Sequence, residues 1–219
     1  MFRSPLHFFL LVVALGMLVL LVQFQVLTIA FEKLGLSEHS AYLLLMTTLA
    51  GSFLNLPLFT VDMQVPPDLR LQPPAWFRSR PVGIPGKTIV AINVGGAVVP
   101  LAFCLYLLAN SPVTPGPVVV CVLAVSAVGY AISRPIRGLG IGMPILVAPL
   151  AAAAIAAAVG TDAARAPLAY IGGTLGVLIG ADMLRLKDIR RLGAPIASIG
   201  GAGSFDGIFV TGILAVLLA

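Results

Sequence analysis

Residues 6–30 read LHFFLLVVALGMLVLLVQFQVLTIA and contain no charged side chain. A helix of this length reaches about 37 Å at 1.5 Å per residue, which exceeds the roughly 30 Å hydrocarbon thickness of a bilayer. The run is too long for the apolar region of a signal peptide, and no small-residue cleavage site follows it. It therefore predicts a first transmembrane helix.

The composition of the whole chain indicates the same environment. Of 219 residues, 59% are hydrophobic and 10% are charged, whereas soluble domains have about 25% charged residues. So few charges cannot cover the surface of a soluble domain of this size, but a lipid-facing surface needs none. The net charge of +5 comes from basic residues in short loops, so we expect no nucleic-acid partner and predict contact with membrane lipid.

Six further apolar runs follow the first one. The prediction is an all-α fold: a polytopic transmembrane helical bundle forming a single domain over 1–219, with about seven spans. The spans are predicted near 6–30, 40–60, 87–109, 117–133, 138–160, 166–186 and 195–219. A proline-rich loop over 62–86 separates the second span from the third, and its prolines exclude a regular helix.

The distribution of cations predicts the orientation. With a cytoplasmic N-terminus, alternate loops place eleven of the 13 basic residues inside, and only Lys33 and Arg165 fall outside. This agrees with the positive-inside rule. We expect a multi-pass protein of the cell inner (cytoplasmic) membrane with its N-terminus in the cytoplasm.

The last apolar run contains an interruption. Gly200, Gly201 and Gly203 each cost about 1 kcal/mol in a helix interior, and the 15 residues from Phe205 to Ala219 span only about 22 Å as a helix. The pattern predicts a broken or re-entrant element before the last helix, which survives only if it is buried in protein or lines a wet cavity. With Ser204, these glycines are candidate binding residues.

Two aspartates are the candidate catalytic residues. Asp182 lies near the cytoplasmic end of the sixth span and Asp206 near the start of the seventh, so the two carboxylates are expected to face each other across a helix hairpin. Ionisable groups at membrane depth are costly and functional by default, and close carboxylates form an acid and a base. The alternatives are that Asp206 is only a helix N-cap and that both aspartates pair with Arg185 or Arg191.

Other polar positions are candidates for binding. They are Asn93, whose duller role is a hydrogen bond between helices, and Arg134 and Arg137, which suit interfacial anchoring or the binding of a phosphate or carboxylate. The glycines at 172, 176 and 180 share one helix face and predict close packing of a neighbouring helix.

No cofactor and no metal site are predicted. Cys104 and Cys121 lie within apolar runs and read as small buried hydrophobic residues. The chain lacks the zinc spacings of Cys and His, and the phosphate-loop, serine-elbow and zinc-protease motifs are absent from the sequence.

Three motifs resemble those of an uncharacterised family of polytopic bacterial and archaeal membrane proteins, known as a domain of unknown function. They are NVGG (residues 93–96), GADML (180–184) and GGAGSFDGI (200–208). A looser resemblance is to intramembrane aspartyl proteases of the presenilin and prepilin-peptidase kind, which place one aspartate on each of two helices. Here the order of the motifs is reversed and one glycine is missing, so this likeness is an analogy.

These observations leave several functions open. The first is an intramembrane aspartyl hydrolase using Asp182 and Asp206, and the second is a proton- or cation-coupled transporter of a small solute. A third is an enzyme that holds Mg²⁺ on the two aspartates and a lipid phosphate on Arg134 and Arg137. The last is a non-catalytic membrane assembly factor. Whether the substrate is a small molecule or is embedded in the membrane stays open.

Overall fold

The computed structural model describes residues 25–26, 28–64, 86–136, 140–201 and 207–219. Within them the chain is mostly helical. The helices are α1 (residues 25–26 and 28–33), α2 (Glu38–Ser52), α3 (Val99–Asn110), α4 (Pro115–Ile132), α5 (Val147–Val159), α6 (Arg165–Val177) and α7 (Gly207–Leu218). The strands are β1 (Asn55–Asp62), β2 (Lys87–Asn93), β3 (Arg134–Ile136), β4 (Gly140–Gly142) and β5 (Ile196–Ile199). A π-helical turn, Val94–Val98, leads into α3, another, Leu178–Met183, prolongs α6, and a 3₁₀ turn covers Leu186–Arg191.

Helix α6 is the centre of the bundle and packs against α3, α4, α5 and α7. Its close approach to α4 depends on the predicted glycine face. A β-carbon on Gly172 would collide with Cys121, one on Gly176 with Val125, and one on Gly180 with the main chain of Ser126. The predicted role of these glycines in close helix packing is therefore confirmed.

The expected all-α class is confirmed only in part, because the described chain is mostly helical but its strands form two sheets. The larger sheet has the order β1-β2-β5. Strands β1 and β2 are antiparallel with Asn55 opposite Asn93, whereas β2 and β5 are parallel with Ile89 opposite Ile196. Strands β3 and β4 form a separate antiparallel hairpin.

Four of the apolar runs that were predicted to be helical contain these strands. The run 40–60 ends as β1, 87–109 begins as β2, 138–160 begins as β4, and 195–219 begins as β5. The physical reason is clearest in β2, a short β-branched run that is buried on both faces. Such a run has no period-two signal that distinguishes it from a buried helix.

Two helices of the described chain are long and apolar enough to cross a membrane. They are α4, with a mean hydropathy of 2.0, and the continuous helix Arg165–Met183, with a mean hydropathy of 1.3. Shorter apolar helices cover Val94–Asn110 and Val147–Val159. By length and composition alone, a membrane span and the core helix of a soluble protein look the same.

Candidate functional site

The carboxylate of Asp182 lies where α6 gives way to a π-helical turn. Its side chain is half-buried, and its Oδ2 accepts a hydrogen bond from the main-chain nitrogen of Gly200 at 3.3 Å. π-Helical turns within α-helices occur frequently at functional sites, because the extra residue displaces one side chain from the regular helical position. This carboxylate is therefore held against the segment that connects β5 to α7.

That segment breaks at Gly200 and Gly201, which follow β5 directly. Their φ angles are +80° and +85°, a region that glycine enters without a side-chain penalty. The carbonyl of Gly200 packs on the α-carbon of Gly96, so closely that a β-carbon on Gly96 would overlap it. We call the turn after β2 the first break and the turn after β5 the second break, because a strand ends at each of them. The two breaks contact each other through their main chains.

Asn93 is the buried organiser of the first break. It is 0% exposed, and its side-chain oxygen accepts a hydrogen bond from the nitrogen of Gly96 at 2.7 Å. Its Nδ2 donates to the carbonyl of Ser52 at 2.6 Å and to Oδ1 of Asn55 at 3.1 Å. The expected hydrogen bond between helices is not what these contacts form, because Asn93 is the last residue of β2 and bonds to the end of α2 and the start of β1.

Two polar residues that were not candidates join this arrangement. Asn55, the first residue of β1, is exposed, and its Oδ1 also accepts a hydrogen bond from the hydroxyl of Ser198 at 2.5 Å. Ser198 lies on β5 opposite Ala91 of β2. No local sequence pattern marks Ser198, because its importance comes from the pairing of strands more than 100 residues apart.

These residues form what we call the polar centre: Asn55, Asn93, Ser198, Gly200 and Asp182. The start of α7 packs beside it, since Ile208 is 1% exposed and belongs to the same apolar cluster as Leu178 and Ala181. Asp206 lies outside the described residues. In sequence it lies six positions after Gly200 and two positions before Ile208.

The predicted binding residues divide into three groups. Gly200, Gly201 and Asn93 belong to the two breaks or the polar centre. Arg134 is exposed on β3, in the separate hairpin. The remaining three, Arg137, Gly203 and Ser204, lie outside the described residues.

Arg185, which was considered as a partner for the aspartates, has another set of contacts. Its guanidinium pairs with Asp188 at 3.2 Å and donates to the carbonyls of Tyr130 at 2.7 Å and Ser133 at 2.9 Å. It also stacks on the Tyr130 ring, 4.3 Å from the ring centroid. Arg185 thereby caps the C-terminus of α4, where a cation is favoured by the helix dipole.

The chemistry available at the polar centre follows from its groups. The two oxygens of a carboxylate together provide about four acceptor positions, which suit amide groups, protons, cations and water molecules. Carboxamide and hydroxyl groups beside it bind polar ligands without adding charge. Among the described residues, no three His, Cys, Asp or Glu side chains are grouped as metal ligands.

The fold and the polar centre define a class of protein: a helical bundle with strand-to-helix breaks that converge on one carboxylate. Within that class, the chain belongs to the family described as "Protein of unknown function (DUF1614)", whose model matches residues 49–218. The match contains the polar centre and Asp206. Searches of curated proteins and of solved structures find no match.

Proposed function

We propose that this chain is a multi-pass inner-membrane protein that acts as an intramembrane aspartyl hydrolase, with Asp182 and Asp206 as its catalytic carboxyl groups. The membrane part of the proposal is supported by α4. Only 22% of this apolar helix is buried, against 72% of Arg165–Met183. A soluble core helix would be covered by protein, whereas lipid covers an exposed apolar helix at no cost.

Exposed apolar side chains on other helices support the same environment. Leu105 on α3, Leu123 on α4 and Leu150 on α5 are each more than half exposed. Soluble monomers rarely expose apolar patches spread over several elements.

The ends of the bundle differ in charge in the way that a membrane orientation requires. Lys33 donates to the carbonyls of Val216 and Leu217 at the end of α7, and Arg165 begins α6, which α7 packs against. The other described cations accompany the strands or the 3₁₀ turn at the opposite end of α6: Lys87, Arg134, Arg185, Lys187, Arg190 and Arg191. The strand end is thus the more basic one, which favours a cytoplasmic location for it.

One observation carries the catalytic part of the proposal: the hydrogen bond between Gly200 and Asp182. It holds the end of α6 against the chain that leads to Asp206, and Ile208 returns to the same cluster on the far side of Asp206. Gly200 and Ile208, the nearest residues to Asp206 for which contacts are described, thus both contact the α6 segment that carries Asp182, and this supports the proposed pair.

Two such carboxyl groups would share one proton, because like charges a few ångströms apart do not ionise together. The ionised carboxylate takes a proton from water as general base, and the resulting nucleophile attacks the carbonyl carbon of the bond to be cleaved. The protonated carboxyl donates its proton to the substrate oxygen or to the leaving group. The pair still holds one proton, now on the other carboxyl group, and transfer of this proton between the two groups restores the starting state.

The test uses a hydrophobic carbodiimide, which modifies protonated carboxyl groups, on protein in lipid nanodiscs with mass-spectrometric mapping. We expect modification of Asp182 or Asp206 at neutral pH. The single variants Asp206→Asn and Asp182→Asn should suppress modification of the surviving aspartate at least fivefold, because a lone carboxylate no longer shares a proton.

The matched control is Asp188→Asn, which removes the partner of Arg185 and should leave the labelling unchanged. If Asp206→Asn leaves modification of Asp182 as in the parent protein, the shared-proton pair is refuted. Cleavage of membrane-embedded peptides by the parent protein, and its loss in both single variants, is the corresponding activity measurement.

A proton- or cation-coupled transporter is the second candidate, and the contact between Gly96 and Gly200 favours it. Transporters build coupling sites where interrupted helices meet near a carboxylate. Proteoliposomes with an imposed pH gradient should then show proton flux that Asp182→Asn abolishes and Asp188→Asn preserves. A cellular phenotype that survives both aspartate substitutions would instead indicate an assembly factor.

A further inference from the structure

Strand β1 exposes apolar side chains along its length. Leu56, Leu58 and Phe59 are 50%, 52% and 48% exposed, and Phe53 just before the strand is 74% exposed. Leu56 and Phe59 pair with Ile92 and Val90 and therefore share one face of the sheet, and Leu58 lies at the irregularity between Pro57 and Phe59. An ordinary sheet on a soluble surface has one apolar face, covered by its own core.

This apolar surface continues from α2, the helix before it. Tyr42, Leu43 and Met46 on α2 are also more than 40% exposed. As a helix of 15 residues, α2 rises only about 22 Å, which is short of the roughly 30 Å hydrocarbon layer. The exposed start of β1 continues this apolar surface beyond the end of α2.

Charged groups begin further along the hairpin. Asp62 and Lys87, which face each other at the end of β1 and the start of β2, approach to 4.0 Å, and their side chains are 82% and 46% exposed. The strand thus changes from apolar and exposed to charged and exposed between Phe59 and Asp62. A change of this kind along one element is typical of the edge of a lipid layer.

We propose that the boundary between the acyl chains and the headgroups of the cytoplasmic leaflet lies along β1, with lipid covering the surface from Phe53 to Phe59. The proposal rests on the membrane embedding proposed above. It goes beyond it by assigning a lipid-binding surface to a strand and a depth to the polar centre. Asn55 lies four residues nearer to α2 than Phe59, about 13 Å along the strand at 3.3 Å per residue, so the polar centre lies on the acyl side of that boundary.

The open edge of β1 places the strand close to this boundary and away from the centre of the hydrocarbon core. In the larger sheet β1 is an edge strand as far as the described residues extend, and open sheet edges are not tolerated deep in lipid. Headgroups and interfacial water satisfy such groups. Pro57 removes one N–H from the strand, and the pairing is irregular between Pro57 and Phe59, which shortens the regular edge.

The consequence concerns access to the polar centre. A substrate that approaches Asp182 from the cytoplasm must pass along the sheet, whereas one embedded in the membrane reaches this depth laterally. The lipid surface on β1 therefore favours a membrane-embedded substrate for the proposed hydrolase.

Depth-dependent tryptophan quenching tests the proposal. The chain has one tryptophan, so Trp76→Phe gives a background in which Leu56→Trp, Phe59→Trp and, as the control at the charged end, Asp62→Trp each carry a single fluorophore. In nanodiscs of lipid brominated on the acyl chains, we expect the first two to be quenched at least twofold more than the control.

Equal quenching at all three positions would overturn the proposal. A second pair of results would also overturn it: the Leu58→Cys variant forms a disulfide-linked dimer, and Phe59→Trp is not quenched. A second copy of the chain, and not lipid, would then cover the surface. Extraction of the parent protein from membranes by alkaline carbonate checks the embedding separately. If the protein resists extraction while Phe59→Trp stays unquenched, only the assignment of β1 fails.

Discussion

The main-chain nitrogen of Gly200 donates a hydrogen bond to Oδ2 of Asp182 at 3.3 Å. This hydrogen bond joins residues that are 18 positions apart in sequence. The bond links the π-helical end of α6 to the break before α7. Because Gly200 also packs on Gly96 through its carbonyl, the position of the carboxylate depends on the packing of a third element, the turn after β2. Substitutions in that turn should therefore act on Asp182 without touching it.

Gly96→Ala is the most direct of these substitutions. The added methyl group would overlap the carbonyl of Gly200, and main chain on both sides has little room to move. Overpacking of this kind costs about 3 kcal/mol, so thermal unfolding in detergent should shift down by roughly 6 °C or more.

Gly116→Ala is its matched control. Nothing lies within 4 Å of a β-carbon at Gly116, which is in the first turn of α4, so alanine should leave stability unchanged or raise it by up to about 1 kcal/mol. Equal melting temperatures for the two variants would contradict the contact between the two breaks.

Asn93→Ala should destabilise the first break. The substitution leaves the carbonyl of Ser52 and the nitrogen of Gly96 buried without their partner, at about 1–3 kcal/mol for each group. We expect a loss of roughly 3 kcal/mol, measured as the midpoint of unfolding in a denaturing detergent.

Asn110→Ala removes the same side-chain type from an exposed site, where Nδ2 donates only to the carbonyl of Tyr106. That change should cost less than about 0.5 kcal/mol. A similar cost at both positions would show that the buried network around Asn93 contributes no more than a surface hydrogen bond.

The contact between α4 and α6 supplies a third prediction. A β-carbon on Gly180 would meet the main-chain carbonyl of Ser126, whereas one on Gly129 would lie 3.7 Å from its nearest neighbours. Gly180→Ala should therefore lower the unfolding midpoint by the equivalent of about 2 kcal/mol, and Gly129→Ala should leave it nearly unchanged. The two variants are best compared by circular dichroism in the same detergent, where a loss confined to Gly129→Ala would refute the observed packing.

The sequence predicts helix positions well where apolar length alone decides them. The predicted runs 117–133 and 166–186 correspond to α4 and to Arg165–Met183. Residues 196–201, which belong to the run predicted as the last span, form β5 and the turn at Gly200 and Gly201 in place of a helix. Glycine spacing and the cost of glycine in a helix are local properties, and they are readable without a structure.

What the sequence does not predict depends on pairing between distant segments. Strand β2 is recognisable as a strand only once β1 and β5 lie on either side of it. The contribution of Ser198 follows from the parallel register of β5 on β2. Similarly, Arg185 was a candidate partner for the aspartates because it is near Asp182 in sequence, yet its carbonyl acceptors belong to the end of α4.

Arg185→Lys should weaken that end of α4 although the charge is kept. One guanidinium contacts two carbonyls, the hydroxyl of Ser133 and the carboxylate of Asp188, and the Arg185 side chain is only 19% exposed. A lysine ammonium has three donors and no planar face to stack on Tyr130, so it cannot reproduce this set.

We expect a loss of about 2 kcal/mol in thermal unfolding, since hydrogen bonds that involve a charged group contribute about 1.5–3 kcal/mol each and lysine retains some of them. Amide exchange near Ser133 should also become faster. Arg134→Lys, at an exposed position on β3, is the control and should change stability by less than about 0.5 kcal/mol. If the two lysine variants unfold alike, Arg185 acts only through its charge, and its planar contacts with α4 contribute nothing measurable.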